Sequence, residues 1–159
     1  FQAEDGIRDI HCSLVGSEMC IRDRAQAEGE TAEAILAVQR HLFVVAAELA
    51  TDPNNRERLE PGVSCVEAAM IEQLEDRIDR IEAETGMPTE FIVPGGDPVA
   101  AAIDVARTVV RRAERASVAL LADTSDSLVV PYLNRLADYL YMLARAVERE
   151  WTPSRGDSP

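Results

Sequence analysis

The sequence predicts an all-α protein, an antiparallel bundle of four helices. Three observations carry that prediction. Apolar residues recur at steps of three and four in four separate stretches, which is the repeat of a helix face. Ala, Leu, Val and Arg are abundant while aromatics make up only 4% of the chain, a composition that suits helix. The four stretches are joined by short polar segments, short enough to fold consecutive helices back on one another. With 159 residues, 47% hydrophobic and 28% charged, the chain is of a size for one globular domain.

Residues 1–24, FQAEDGIRDIHCSLVGSEMCIRDR, show neither helical nor strand periodicity and no initiator Met. The string resembles a conceptual translation of sequencing-library adapter. It is expected to be foreign and disordered; the alternative is a native disordered tail. His11, Cys12 and Cys20 within it match no common zinc spacing, so no metal site is read there, and no disulfide framework. The bundle domain is expected over residues 25–151. Its first helix runs from about Glu30 to Ala50, with Ile35, Leu36, Leu42, Phe43, Ala46 and Leu49 on the apolar face and Gln39 as a gap. Thr51 to Glu60 is a connection. Ser64, with Glu67 three residues on, reads as a capping box for the second helix. That helix uses Val66, Met70, Ile71, Leu74, Ile78 and Ile81 and stops near Gly86 and Pro88. Its acidic and basic side, Glu72 to Arg80, reads as a solvated face. Cys65 and Met70 read as packing residues.

The third helix has the clearest start. Pro94-Gly95-Gly96 makes a turn, Asp97 is a good N-cap, and Pro98 sits where its missing N–H costs nothing. The helix extends to about Leu121, with Ile103, Ala106, Val110 and Ala113 on its apolar side. Residues 122–127 connect it to a fourth helix, about Leu128 to Trp151, which tolerates Pro131 in its first turn. Leu133, Leu136, Leu140, Leu143 and Val147 form its apolar stripe. Residues 152–159 are expected to be a disordered tail whose RGD is chance.

The net charge is −13, which makes nucleic acid and anionic membrane surfaces poor partners. No apolar run reaches the roughly 18 residues of a membrane span, and nothing at the start has the order of a signal peptide. A soluble cytoplasmic protein is the expectation. The chain has no lysine, so its charged side chains of positive sign are arginines apart from His11 and His41.

Four arginines crowd into one stretch of the third helix. Asp104, Arg107, Arg111 and Arg115 share a face, Glu114 joins it, and Arg112 lies about 100° round from Arg111. Like charges at this spacing repel. They are offset either by intrahelical pairs such as Arg111 with Glu114 on a solvated face, or by a bound polyanion. Arg suits phosphate because its planar fork donates two parallel hydrogen bonds and stays charged. On the fourth helix Asn134, Asp138, Tyr141 and Arg145 form a polar stripe. Such a stripe is most often solvated. Asn134 and Arg135 could meet the arginine face if the two helices pack antiparallel.

FIVPGG, then ARTVVRRAER, then YLNRLADYLYMLAR, in that order and separation, resemble the ATP:cob(I)alamin adenosyltransferases of the PduO type. AILAVQRHLFVVAAELAT is similar to an earlier helix of the same family, so the resemblance covers roughly residues 30–150. The resemblance implies a five-helix bundle, four helices of which are read here, assembled as a homotrimer with active sites between subunits. It implies transfer of the 5′-deoxyadenosyl group of ATP to the cobalt of a reduced corrinoid, with triphosphate leaving. ATP and cob(I)alamin are then substrates, Mg2+ is expected with the ATP, and a reductase is a possible electron donor. By the same resemblance Arg111, Arg112, Glu114, Arg115 and Asn134 bind ATP. Arg107 and Arg111 are the catalytic pair, Arg111 on the triphosphate and Arg107 paired with an aspartate of the family's first helix. Phe91 lies against the lower face of the corrin and excludes the axial ligand. The family's phosphate loop, of the form TxTGDxGxT, has no counterpart in this sequence, nor has the lysine that follows it. The expectation is therefore a partial and impaired copy lacking that loop and first helix.

Two other readings compete. A non-catalytic helical bundle acting through protein–protein contacts would keep the apolar faces but give RRAER and NRLADYL no reason to converge. A ferritin-like metal bundle needs Glu-x-x-His pairs, and neither histidine has a glutamate three residues before it. Convergence of Arg111, Glu114 and Asn134 separates the adenosyltransferase reading from the non-catalytic bundle.

Overall fold

Alternation of helix faces with short breakers produces four α-helices among the described residues, which in this computed structural model are 29–122, 124, 126–148 and 150–155. They are α1 (Gly29–Ala50), α2 (Ala68–Thr85), α3 (Pro98–Leu120) and α4 (Val129–Glu148). Two short strands, β1 (Ile92–Val93) and β2 (Thr152–Pro153), form an antiparallel pair. The foreign segment expected at residues 1–24 lies outside the described residues.

α4 is the central element. It buries residues on nearly every side, from Val129 through Leu136 to Glu148, whereas α2 buries only Met70 and Leu74. His41 of α1 meets the Tyr132 ring edge-on at 5.7 Å, and Glu48 further along α1 reaches Ser127, just before α4, so these two helices run antiparallel. Asp104 with Arg145, and Glu114 with Asn134, make α3 antiparallel to α4 as well. Arg77 of α2 lies over Tyr139, and Glu75 over Arg135, so α2 runs with α4. The result is an up-down-up-down bundle with one continuous core.

The apolar faces on α3 and α4 are those the periodicity predicts: Ile103, Ala106 and Val110 are fully buried, as are Leu133 and Leu136. On α1 the seam passes through Ile35, Val38, Leu42, Val45 and Leu49, alternating steps of three and four. Phe43 is one residue, and so about 100°, off that seam and stands 59% exposed, not on the core face as its place in the sequence suggested.

Three local expectations are corrected. Ser64 does not cap α2: its hydroxyl accepts from the Glu60 amide in a tight turn over 60–65, and α2 begins after Glu67 with no side-chain cap. The 51–60 connection contains a 3-10 turn, Pro53–Arg58, opened by Asp52 accepting from the Asn54 amide. The expected disordered tail is structured over 152–154: Thr152 and Pro153 pair with Val93 and Ile92, and the Ser154 amide donates to the Phe91 carbonyl at 2.7 Å.

One end of the bundle is closed by a single carboxylate. Glu48 is 1% exposed near the end of α1. Its Oε1 accepts from Arg56 Nη2 at 3.0 Å and Ser127 Oγ at 2.7 Å, and its Oε2 from the Val66 amide at 2.7 Å. Four segments thus meet at one buried charge that is compensated by a cation and two neutral donors.

Candidate functional site

The site grows out of the start of α3. Asp97 caps the helix as predicted, accepting from the amides of Val99 (2.7 Å) and Ala100 (3.0 Å). That cap and the buried alanines set the helix rotation, so Asp104, Arg107, Arg111 and Glu114 turn toward α4. The polar stripe of α4 turns toward α3. Because the helices are antiparallel, each step up α3 meets a step down α4: Arg145 Nη2 on Asp104, Tyr141 under Arg107, Asn134 on Glu114.

The expected convergence of Arg111, Glu114 and Asn134 is present. Asn134 Nδ2 donates to Glu114 Oε1 at 2.9 Å, and Arg111 Nη1 lies 2.7 Å from Glu114 Oε2. One carboxylate therefore orients an amide and a guanidinium, and Arg111 remains 43% exposed with its fork reachable from solvent. Arg112 and Arg115 sit on the exposed side of α3. Arg135, which could have joined this cluster, faces the other way and pairs with Glu75 of α2 and Asp138.

A turn or two toward the start of α3 lies an open groove of about 830 Å³. Phe91 and Arg107 both line it, with Asp104, Tyr141, Met142 and Arg145. Phe91 is 89% exposed, so its ring is available to a ligand rather than spent on the core. The Arg107 guanidinium carbon lies over the Tyr141 ring, 5.2 Å from its centroid, and that of Arg145 lies over the same ring at 5.5 Å.

The reading of Arg145 as part of a solvated stripe is corrected. It is 1% exposed, bridging Asp104 of α3 and Glu148 (Nη2 to Oε2, 3.2 Å). The stripe is polar because it packs against another polar face, and only Asn134 and Asp138 are exposed. Sequence reading also missed Glu148, whose Oε1 accepts from the Gly96 amide at 2.7 Å. An acid in the last turn of a helix opposes the helix dipole, and that anomaly was the available signal. Trp151, beyond the end of α4, donates its indole N–H to the Arg145 carbonyl at 3.2 Å. Among the described residues no three acidic, His or Cys side chains gather into a metal site.

A model of the family described as "Cobalamin adenosyltransferase" matches residues 8–147. The chain is 38% identical over 117 residues to the cobalamin adenosyltransferase of Cupriavidus metallidurans, covering 73% of this chain and 59% of that protein. It is 36% identical over 135 residues to the corrinoid adenosyltransferase of Citrobacter freundii, covering 82% of this chain and 72% of that one. Among solved structures, a variant of the PduO-type ATP:corrinoid adenosyltransferase from Lactobacillus reuteri, complexed with cobalamin and ATP, superposes with a TM-score of 0.74 at 26% identity, over 93% of this chain and 81% of that one. With the match running over most of its length, this chain belongs to the cobalamin adenosyltransferase family.

Proposed function

We propose that the chain transfers the 5′-deoxyadenosyl group of ATP to the cobalt of reduced cobalamin, with inorganic triphosphate as the leaving group. The observation that carries this reading is the meeting of Arg111, Glu114 and Asn134 across α3 and α4, one stretch away from a groove holding Phe91 and Arg107. Support also comes from the Lactobacillus reuteri relative, which holds cobalamin and ATP on the same fold. Arg111, Arg112, Glu114, Arg115 and Asn134 are assigned to ATP, and Phe91 to the lower face of the corrin.

The reduced cobalt supplies the nucleophile, so the protein's part is to position and to neutralise charge. Arg111 is aimed by Glu114 and takes up the negative charge that grows on the triphosphate as its bond to C5′ breaks. Arg107, over the Tyr141 ring, extends the same positive strip toward the groove. Phe91 presents a bare aromatic face where an axial base would bind, which eases reduction of the cobalt. Mg2+ would accompany ATP and would help neutralise the triphosphate, with no protein carboxylate assigned to it.

The test is adenosylation in vitro, followed through the cobalt spectrum with ATP and reduced cobalamin. It compares this chain with one in which residues 1–24 are replaced by a phosphate loop and first helix of the family. Turnover in either chain upholds the reading, and turnover confined to the repaired chain makes this sequence a partial copy. No turnover and no ATP binding in both overturns it in favour of a non-catalytic bundle. We further assign a homotrimer with sites between subunits, a cytoplasmic setting where ATP and a reductase are at hand, and no membrane or nucleic-acid partner. Light scattering should give three times the 17.4 kDa of one chain; a mass of one copy would remove the trimer.

A further inference from the structure

We propose that Glu148 is a positioning residue for the corrinoid pocket: through the Gly96 amide it anchors the 91–97 segment and so sets where Phe91 stands in the groove. The inference rests on the adenosyltransferase reading given above.

Phe91 is 89% exposed, so little packing on the ring determines its place. Its position is inherited from its backbone. That backbone is short of regular structure: β1 is two residues long, and Gly95 takes a φ of +112° that an L side chain rarely adopts. Two of its ties come from beyond α4, the β1–β2 pair and the Ser154 amide on the Phe91 carbonyl. The third comes from α4 itself. Glu148 Oε1 accepts from the Gly96 amide at 2.7 Å, and Oε2 lies 3.2 Å from Arg145 Nη2, which also holds Asp104. The anchor is therefore referenced to the α3–α4 core, whereas the other two follow a two-residue strand.

Two features say that this contact is built. The Glu148 side chain is 2% exposed in the last turn of a helix, where the dipole disfavours an acid, so its charge depends on Arg145 and the amide. Gly96 leaves room for it: a Cβ at that position would lie 2.8 Å from Oε1. Its φ is not positive, so Gly96→Ala acts on the contact and not through backbone strain.

The experiment uses the full chain, with Glu148→Ala, Glu148→Gln and Gly96→Ala. Amide hydrogen exchange without ligand reads the anchor, and dissociation constants for cob(II)alamin with ATP bound, and for ATP alone, read its use. In Glu148→Ala and Gly96→Ala, exchange over 91–96 should quicken and cob(II)alamin should bind about tenfold more weakly, while ATP affinity stays within about twofold. Glu148→Gln, whose amide oxygen still accepts from Gly96, should recover most of both. Exchange at Ile103 and Leu136 reports the core; if Glu148→Ala fails to fold, Gly96→Ala carries the test. Unchanged exchange over 91–96, or equal weakening of both ligands, overturns the anchor. A wild-type chain that binds no cob(II)alamin overturns this inference, and the function falls with it only where the repaired chain also shows no turnover and no ATP binding. Wild-type binding with unaffected variants overturns the inference alone.

Discussion

Arg111 pairs with Glu114 and stays partly exposed, and on the proposed reading that open face meets the triphosphate. A lysine there keeps the charge and loses the fork. Arg111→Lys should therefore lower kcat by about 10- to 100-fold and leave cobalamin affinity unchanged, measured by steady-state adenosylation. An unchanged kcat would remove Arg111 from the leaving-group role. His41 gives a prediction about stability. Burial, and then the Arg77 cation, lower its pKa from the ordinary 6.5, with Glu67 opposing more weakly. The folded chain keeps the imidazole neutral where the unfolded chain takes a proton, so stability is full above pH 6.5 and falls as pH drops through the lowered value. Urea midpoints should decline below that pH in the wild type and hold level in His41→Phe, which keeps the ring against Tyr132. Equal slopes in the two proteins would mean another group is responsible. Arginine spacing was enough to place Arg107, Arg111 and Glu114 on one side of a helix, while their assignment to a site came from the family resemblance. It could not separate Asp104 from them, since its pairing with Arg145 depends on which helix lies opposite.

At the scale of elements, the joints are held by polar contacts that the apolar pattern does not announce. Glu48 gathers the end of α1, the 3-10 turn, the lead into α2 and the lead into α4. In Glu48→Gln one carboxylate oxygen becomes an NH2 facing donors on whichever side it is placed. We expect a loss of about 2 kcal/mol of unfolding free energy in urea, with α-helical content retained. A change under about 0.5 kcal/mol would mean water replaces the carboxylate freely. The start of α3 was legible because Asp97 and Pro98 act on their own neighbours. The capping box at Ser64 and Glu67 was not realised, since the Glu60 amide took the Ser64 hydroxyl in a turn two residues before the helix lead-in. A match to a local rule does not exclude a competing local partner.

For the whole molecule, one core joins all four described helices, and α4 touches each of the others. Leu136 lies at its middle and is fully buried. Leu136→Ala should cost about 2–5 kcal/mol and leave a single cooperative transition, because no part of this core can unfold without α4. Two transitions in calorimetry would show that α1 and α2 form a separate unit. The joining of the Arg111–Glu114–Asn134 cluster on mid-α3 to a groove at its start is also a property of the whole bundle: both lie along one antiparallel seam.

The sequence by itself determined the fold class, the four helices, most of their buried faces and the residues of the arginine cluster. Those follow from helical periodicity, from breakers, and from caps that act within a few residues. Only the tertiary structure decided that Arg145 is buried between two carboxylates, that Glu148 reaches Gly96, that Phe43 faces outward, and that Thr152–Pro153 pairs with Ile92–Val93. Each of these joins residues distant in the chain, or depends on the width of a face that a neighbouring helix covers. Periodicity fixes the direction in which a side chain leaves its helix, but its environment is set by what packs there.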